Sequence, residues 1–198
     1  MSRIRVISGK ARGVRLKQVD ASITRPITDR VKEALFNIIG SDINNARILD
    51  MFAGTGSVGI EALSRGASYA MFLDVSSRAI DVINSNLRAT KLSDKAQVQQ
   101  ADAFDYLVGS VKEKFEYIYV APPQYNGMWS SALEHVDNNL EWMSNDGWVI
   151  AQMDPSEFSE YDFKNLSMFD KRQYGNTVLA FYSMVDYEDS KSEVYGVR

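Results

Sequence analysis

The sequence predicts an α/β fold: a mainly parallel, Rossmann-like sheet with helices on both faces and an antiparallel strand at its C-terminal end. Three observations carry this. From residue 47 onward, short apolar runs alternate with stretches of helical period. The first run ends in a glycine-rich turn, Gly54-Thr-Gly56, that opens a helix. The last two runs are joined by Tyr174-Gly-Asn, with no room for a crossover, so they pair antiparallel.

In chain order, Arg3-Ile-Arg-Val-Ile7 alternates polar and apolar residues, turns through Ser8–Gly13 and returns as Val14-Arg-Leu16. That spacing predicts a basic hairpin with arginines on one face. From Thr28 the period is helical: Val31, Ala34, Leu35, Ile38 and Ile39 form one stripe, Thr28 is the N-cap and Gly40 the stop. Strands are expected at 47–52, 69–73, 96–99, 115–120 and 148–152. Helices are expected from the glycine turn to Arg65, from Ser76 to Thr90 and near Ser130–Trp142. Leu166–Lys171 and Thr177–Tyr182 are the final pair. The expected organisation is a basic extension over residues 1–20, one domain over 21–185 and a polar tail over 186–198.

Composition narrows the chemistry. Of 198 residues, 45% are apolar and 24% charged, as in an ordinary folded domain. There is no cysteine, which excludes disulfides, thiol nucleophiles and thiolate metal sites. His135 is the sole histidine, so no multi-histidine metal centre is expected. No apolar run approaches 18 residues, and the N-terminus lacks the apolar core of a signal peptide. The expectation is a cytoplasmic protein, or one of an organelle interior, with no membrane partner and no metal.

Charge is uneven. Residues 1–32 carry nine Lys/Arg against Asp20 and Asp29, a balance of +7, while the remainder carries −11. A basic head on an acidic body attracts polyanions whatever the net charge of −4.

Gly54-x-Gly56-x-x-Gly59 follows a strand and opens a helix, a place where backbone N–H groups face a ligand. Two cofactor classes fit such a turn. A dinucleotide brings a pyrophosphate, whereas S-adenosylmethionine brings an amino acid head. Asp50, four residues before Gly54, suits an ammonium group and sits awkwardly beside a pyrophosphate. Asp74, ending the second strand, suits a ribose diol, and Asp102 with the N–H of Ala103 suits an adenine edge. Each aspartate alone also reads as a turn or capping residue, Asp102 most of all.

The fourth strand ends in Ala121-Pro122-Pro123-Gln124-Tyr125. Prolines lack N–H groups, so the carbonyls around them stay available to a ligand, and the neighbouring aromatic can stack on a base. Trp129 is a second platform candidate that reads first as a core residue. His135 and the scattered methionines receive no role.

These segments together resemble the RsmD family of bacterial 16S rRNA guanine-N2 methyltransferases. The similarity spans Arg5-Val-Ile-Ser-Gly-Lys-Ala-Arg-Gly13, Thr24-Arg-Pro-Ile-Thr-Asp-Arg-Val-Lys-Glu-Ala-Leu-Phe-Asn37 and Leu49-Asp-Met-Phe-Ala-Gly-Thr-Gly56. It continues through Glu61-Ala-Leu-Ser-Arg-Gly66, the proline pair and Tyr174-Gly-Asn-Thr177. The resemblance implies a seven-stranded class I methyltransferase fold and S-adenosylmethionine lined by Asp50, Gly54, Gly56, Asp74, Asp102 and Ala103, with Arg25 to Thr28 packed nearby. It also implies that Ala121, Pro122, Pro123 and Tyr125 form the catalytic loop, and that Arg3, Arg5, Lys10, Arg12, Arg15 and Arg25 contact RNA. The partner implied is 16S rRNA or a small-subunit assembly particle, met by a monomer.

One position departs from the family. Its loop reads Asp or Asn before the prolines and an aromatic directly after them; here Ala121 replaces the polar residue and Gln124 intervenes. Three other readings therefore stand beside methyl transfer to rRNA. They are an RNA-binding assembly module that has lost the chemistry, a nicotinamide oxidoreductase, and a methyltransferase acting on another substrate.

Overall fold

A computed structural model describes residues 4–19, 27–123 and 127–185. Its centre is a seven-stranded sheet: β1 (Arg47–Asp50), β2 (Tyr69–Asp74), β3 (Ala96–Gln100), β4 (Phe115–Val120), β5 (Met143–Met153), β6 (Leu166–Gln173) and β7 (Val178–Met184). The order across the sheet is β3-β2-β1-β4-β5-β7-β6. β1 to β5 are parallel, whereas β7 runs antiparallel between β5 and β6, as the short Tyr174 turn requires. The strand order reverses at β1, between β2 and β4, which opens the ligand crevice at their carboxyl ends.

Two cores flank the sheet. One face carries α1 (Asp29–Ile39), α2 (Ser57–Arg65) and α3 (Ser77–Thr90), with Leu35, Ile60 and Ile83 packed on Ile48, Tyr119 and Ile150. The other carries α4 (Ala103–Val108) and α5 (Met128–Asp137), with Leu107 and Leu133 on Leu49, Ile118 and Val149. Adjacent residues of β1 and β4 thus face opposite cores, which explains their nearly unbroken apolar runs. Thr28 caps α1 by accepting from the Val31 N–H at 3.3 Å, and Gly40 closes it at φ 64°.

Several elements differ from expectation. The helix expected over Ser130–Trp142 spans Met128–Asp137, followed by a separate turn at Leu140–Trp142. The Asn139 side chain donates to the His135 carbonyl and ends the helix there. β5 begins at Met143, five residues before the apolar run that predicted it, across an irregularity in its pairing with β4. The short α4 was not expected, since six residues give no readable period.

Residues 4–16 do not form two regular strands. A single antiparallel bridge joins Arg5 and Arg15, and Gly9 and Gly13 turn the chain between them at positive φ. The expected segregation of faces holds nonetheless: Ile4, Val6 and Leu16 are buried, while Arg5, Arg12 and Arg15 are exposed.

Candidate active site

Three acidic residues stand at the same edge: Asp50 and Asp74 end β1 and β2, and Asp102 lies two residues beyond β3. Asp50 is buried. Its Oδ2 accepts from the Gly59 N–H at 3.3 Å, and its Oδ1, also buried, has no hydrogen-bond partner. Burial, reinforced by the nearby Asp74 and only partly offset by the Gly59 N–H, pushes the Asp50 carboxyl up to about 7. A buried acceptor left unmatched in this way costs free energy that a cationic ligand group would recover. A pyrophosphate would worsen it.

Asp74 organises the turn beside it. Its Oδ2 accepts from the Gly54 N–H at 2.8 Å and its Oδ1 from the Ser76 N–H at 2.9 Å. Each oxygen has two lone pairs, so a diol can still be received. Gly56 stands at φ 73° as the residue before α2, a conformation that disfavours other side chains. Gly59 serves packing: a Cβ there would meet the Phe72 ring at 2.3 Å. Its amide points to Asp50, so the third glycine of the motif serves helix–strand contact and a carboxylate.

Asp102 caps α4, accepting from the Phe104 N–H at 2.8 Å, which realises its capping reading for one oxygen. Ala103 follows as the first residue of that helix and is buried. Phe104 packs edge-on against Phe52, the residue two beyond Asp50, with ring centroids 6.1 Å apart. The rim of acids is therefore backed by two half-buried aromatics that sequence reading passed over.

Ala121 and Pro122 are half-buried and Pro123 is exposed at the end of β4, beside β1 in the crevice. Tyr125 and Gln124 lie outside the described residues, as do Arg3 and Arg25. Trp129 is buried in the second core, so the core reading holds for it. Among the described residues no group of acidic or histidine side chains is placed to hold a metal, and no helix is long and apolar enough to cross a membrane.

The basic arm is fastened to the helix that carries the glycine turn. The fully buried Glu61 accepts from the N–H groups of Ile7 and Ser8 at 2.8 and 2.9 Å and from Arg65 Nε at 2.8 Å. Lys32, also fully buried, lies 3.5 Å from Glu61 and donates to the Arg5 carbonyl at 2.7 Å. Burial holds the Lys32 amine below its usual value, against the pull of Glu61. Ser64 and Asn86 bind the backbone of Ala11 and Lys17. Neither Lys32 nor Glu61 was singled out from sequence. The available signal was a charged residue set within each helix's apolar run.

The sheet order, the crevice at the β1/β4 reversal and the acidic rim define the class I methyltransferase fold. The solved structure of yhhF from Escherichia coli superposes with a TM-score of 0.81 at 27% identity, covering 92% of this chain and 98% of that one. HI0767 from Haemophilus influenzae gives 0.76 at 26% identity, covering 93% and 99%. The family model described as conserved hypothetical protein 95 matches residues 4–183. The Escherichia coli (strain K12) ribosomal RNA small subunit methyltransferase D is 32% identical over 149 residues, 75% of this chain and 74% of its own length. YlbH of Bacillus subtilis (strain 168) is 39% identical over 181 residues, 90% of this chain and 98% of that protein. The chain belongs to this family, that of the small-subunit rRNA methyltransferase D proteins.

Proposed function

We propose that this protein transfers a methyl group from S-adenosylmethionine to the exocyclic N2 amine of a guanine in small-subunit (16S) rRNA. The observation that carries the proposal is the buried, unpartnered Asp50 Oδ1 beside the glycine turn, in a chain whose relative is a small-subunit rRNA methyltransferase. Asp50 receives the ammonium of the amino acid head, Gly54 and Gly56 let the backbone approach it, and Asp74 takes the ribose diol. Asp102 and the Ala103 N–H read the adenine edge, while Thr28 closes the pocket from the start of α1. Bound there, S-adenosylmethionine supplies a methyl group on a sulfonium, an excellent leaving group, so the protein's task is mainly positioning.

The carbonyls of Ala121 and Pro122 hold the amine, and Tyr125 is the platform for a base drawn out of its stack. Arg3, Arg5, Lys10, Arg12, Arg15 and Arg25 grip phosphates and carry little sequence choice. Arg5 also meets Asp29 at 3.0 Å, an exposed pair of small energetic weight that RNA can displace. The basic arm over 1–20, the domain over 21–185 and the tail over 186–198 act as a monomer, in the cytoplasm where small subunits assemble.

Ala121 favours one competing reading, an RNA-binding assembly module without chemistry. Both are tested by incubating the purified protein with tritiated-methyl S-adenosylmethionine and under-methylated small-subunit particles, followed by nucleoside mass spectrometry. Labelled N2-methylguanosine is the expected product. Cofactor binding without label would favour the assembly module or a different substrate, and absence of cofactor binding would overturn the methyltransferase reading.

A further inference from the structure

We propose that the Gln152 side chain, held by Tyr119, supplies the hydrogen-bond acceptor for the target amine that Ala121 cannot supply. The inference rests on the methyltransferase reading above. It begins with register. Asp50 on β1 lies opposite Tyr119 on β4, and Tyr119 opposite Ile150 on β5. The next rung pairs Val120 with Ala151, so Ala121 and Gln152 follow as neighbours at the carboxyl edge. Parallel strands are about 4.8 Å apart, within reach of one side chain from the other's place.

Alternation then fixes the face. Ile48, Tyr119 and Ile150 all pack into the first core, and Ala121 packs against it too. Asp50 and Gln152 lie two residues beyond Ile48 and Ile150, on that same face. Asp50, Tyr119, Ala121 and Gln152 therefore line one side of the crevice. Between them runs a hydrogen bond: the Tyr119 hydroxyl donates to Gln152 Oε1 at 2.6 Å.

That bond orients the carboxamide. Tyr119 is 3% exposed, and burial next to Asp50 holds its phenol well above its usual value, so it stays a neutral donor. A carboxamide oxygen has two lone pairs, of which the phenol takes one. Gln152 is the one polar residue in Val149–Met153, whose other members are buried, and it is half-buried at the point where the crevice opens. A chain that keeps a fixed acceptor there can do without an acid or amide at position 121.

The transfer itself balances without a base. The N2 lone pair forms the new N–C bond as the S–C bond breaks and its electrons pass to sulfur, leaving a neutral thioether. The methylated amine then sheds one proton to water, since a carboxamide is too weakly basic to keep it. Gln152 Oε1 and the loop carbonyls aim the lone pair by holding the N2 hydrogens.

The test uses single-turnover methyl transfer to under-methylated small-subunit particles, with adenosylhomocysteine affinity, particle affinity by filter binding and thermal midpoint measured alongside. Gln152→Ala should slow transfer at saturating particles on the order of 100-fold, the scale of one lost positioned hydrogen bond. Both affinities should stay at the wild-type values. Gln152→Met, which keeps length without an acceptor, should show the same slowing and replaces the alanine variant if that one folds poorly. Adding Ala121→Asn to either variant should restore most of the rate, a rescue that a merely structural glutamine would not show. Undiminished transfer in both Gln152 variants, or failure of Ala121→Asn to rescue them, overturns this inference alone. No transfer by the wild-type chain overturns the methyltransferase reading with it.

Discussion

The two halves of the crevice are built on different principles. At the carboxyl ends of β1, β2 and β3 stand three aspartates, one of them buried with an oxygen unmatched. At the ends of β4 and β5, Ala121, two prolines and Gln152 are neutral, and Asp154, the residue after β5, accepts from the Ser156 N–H and hydroxyl in the turn that follows. On the proposed function, the difference matches what each half would bind. An ammonium group withdrawn from water needs a full opposite charge, and no arrangement of carbonyls replaces it cheaply. A neutral amine needs acceptors of any kind, which backbone or carboxamide oxygens can provide. The charged half is therefore fixed in chemistry, and the neutral half can be rebuilt from other residues.

The sharpest way to break this comparison is at Asp50. Asp50→Asn should weaken S-adenosylmethionine binding on the order of 100-fold or more, the scale of removing one partner from a buried charge pair. Without cofactor the same variant should melt no lower than the wild type, because one oxygen of the carboxyl is unmatched and the amide oxygen can keep the bond from the Gly59 N–H. Calorimetric titration and thermal melting together would show the opposite signs.

Packing beneath the charged half gives the next effect. Gly59→Ala sets a methyl group 2.3 Å from the Phe72 ring, so unfolding free energy should fall by about 1–3 kcal/mol. Denaturant titration checks this, with cofactor affinity falling in parallel as the turn shifts.

A pH titration sharpens the comparison further. The Asp50 carboxyl is raised from 3.8 to about 7, so near neutrality a cationic ligand must first find it deprotonated. Affinity should therefore drop about tenfold per pH unit below 7 and level off above it, with a proton released on binding at pH 6. The stability sign is the reverse of the usual carboxylate case. Between 3.8 and about 7 the native state holds a proton that the unfolded chain has lost, so this group's contribution to stability declines as pH rises through that window. Asp50→Asn should flatten both curves.

The smallest effects belong to the arm. Arg12→Ala and Arg15→Ala should each lower RNA affinity a few-fold and reduce its logarithmic salt slope by about 0.7 for each phosphate no longer neutralised. Filter binding across a salt series measures this, and cofactor affinity should not move.

By itself the sequence determined the sheet and the place of the residues in one half of the candidate site. Apolar runs of four to six residues broken by helical periods are readable because burial on both faces writes itself into every residue of a strand. The Gly54–Gly56 turn and Asp50, Asp74 and Asp102 were legible because each lies at a strand end, where chain direction alone sets the neighbourhood. Tertiary structure decided the rest. The starts of β5 and α4 depended on pairing and capping too local to show a period. The Lys32–Glu61 pair joins residues 29 positions apart, and its worth exists only once both are buried together. Gln152 became a candidate when β5 came to rest beside β4, since register between distant strands, unlike periodicity along one, is not written in either strand alone.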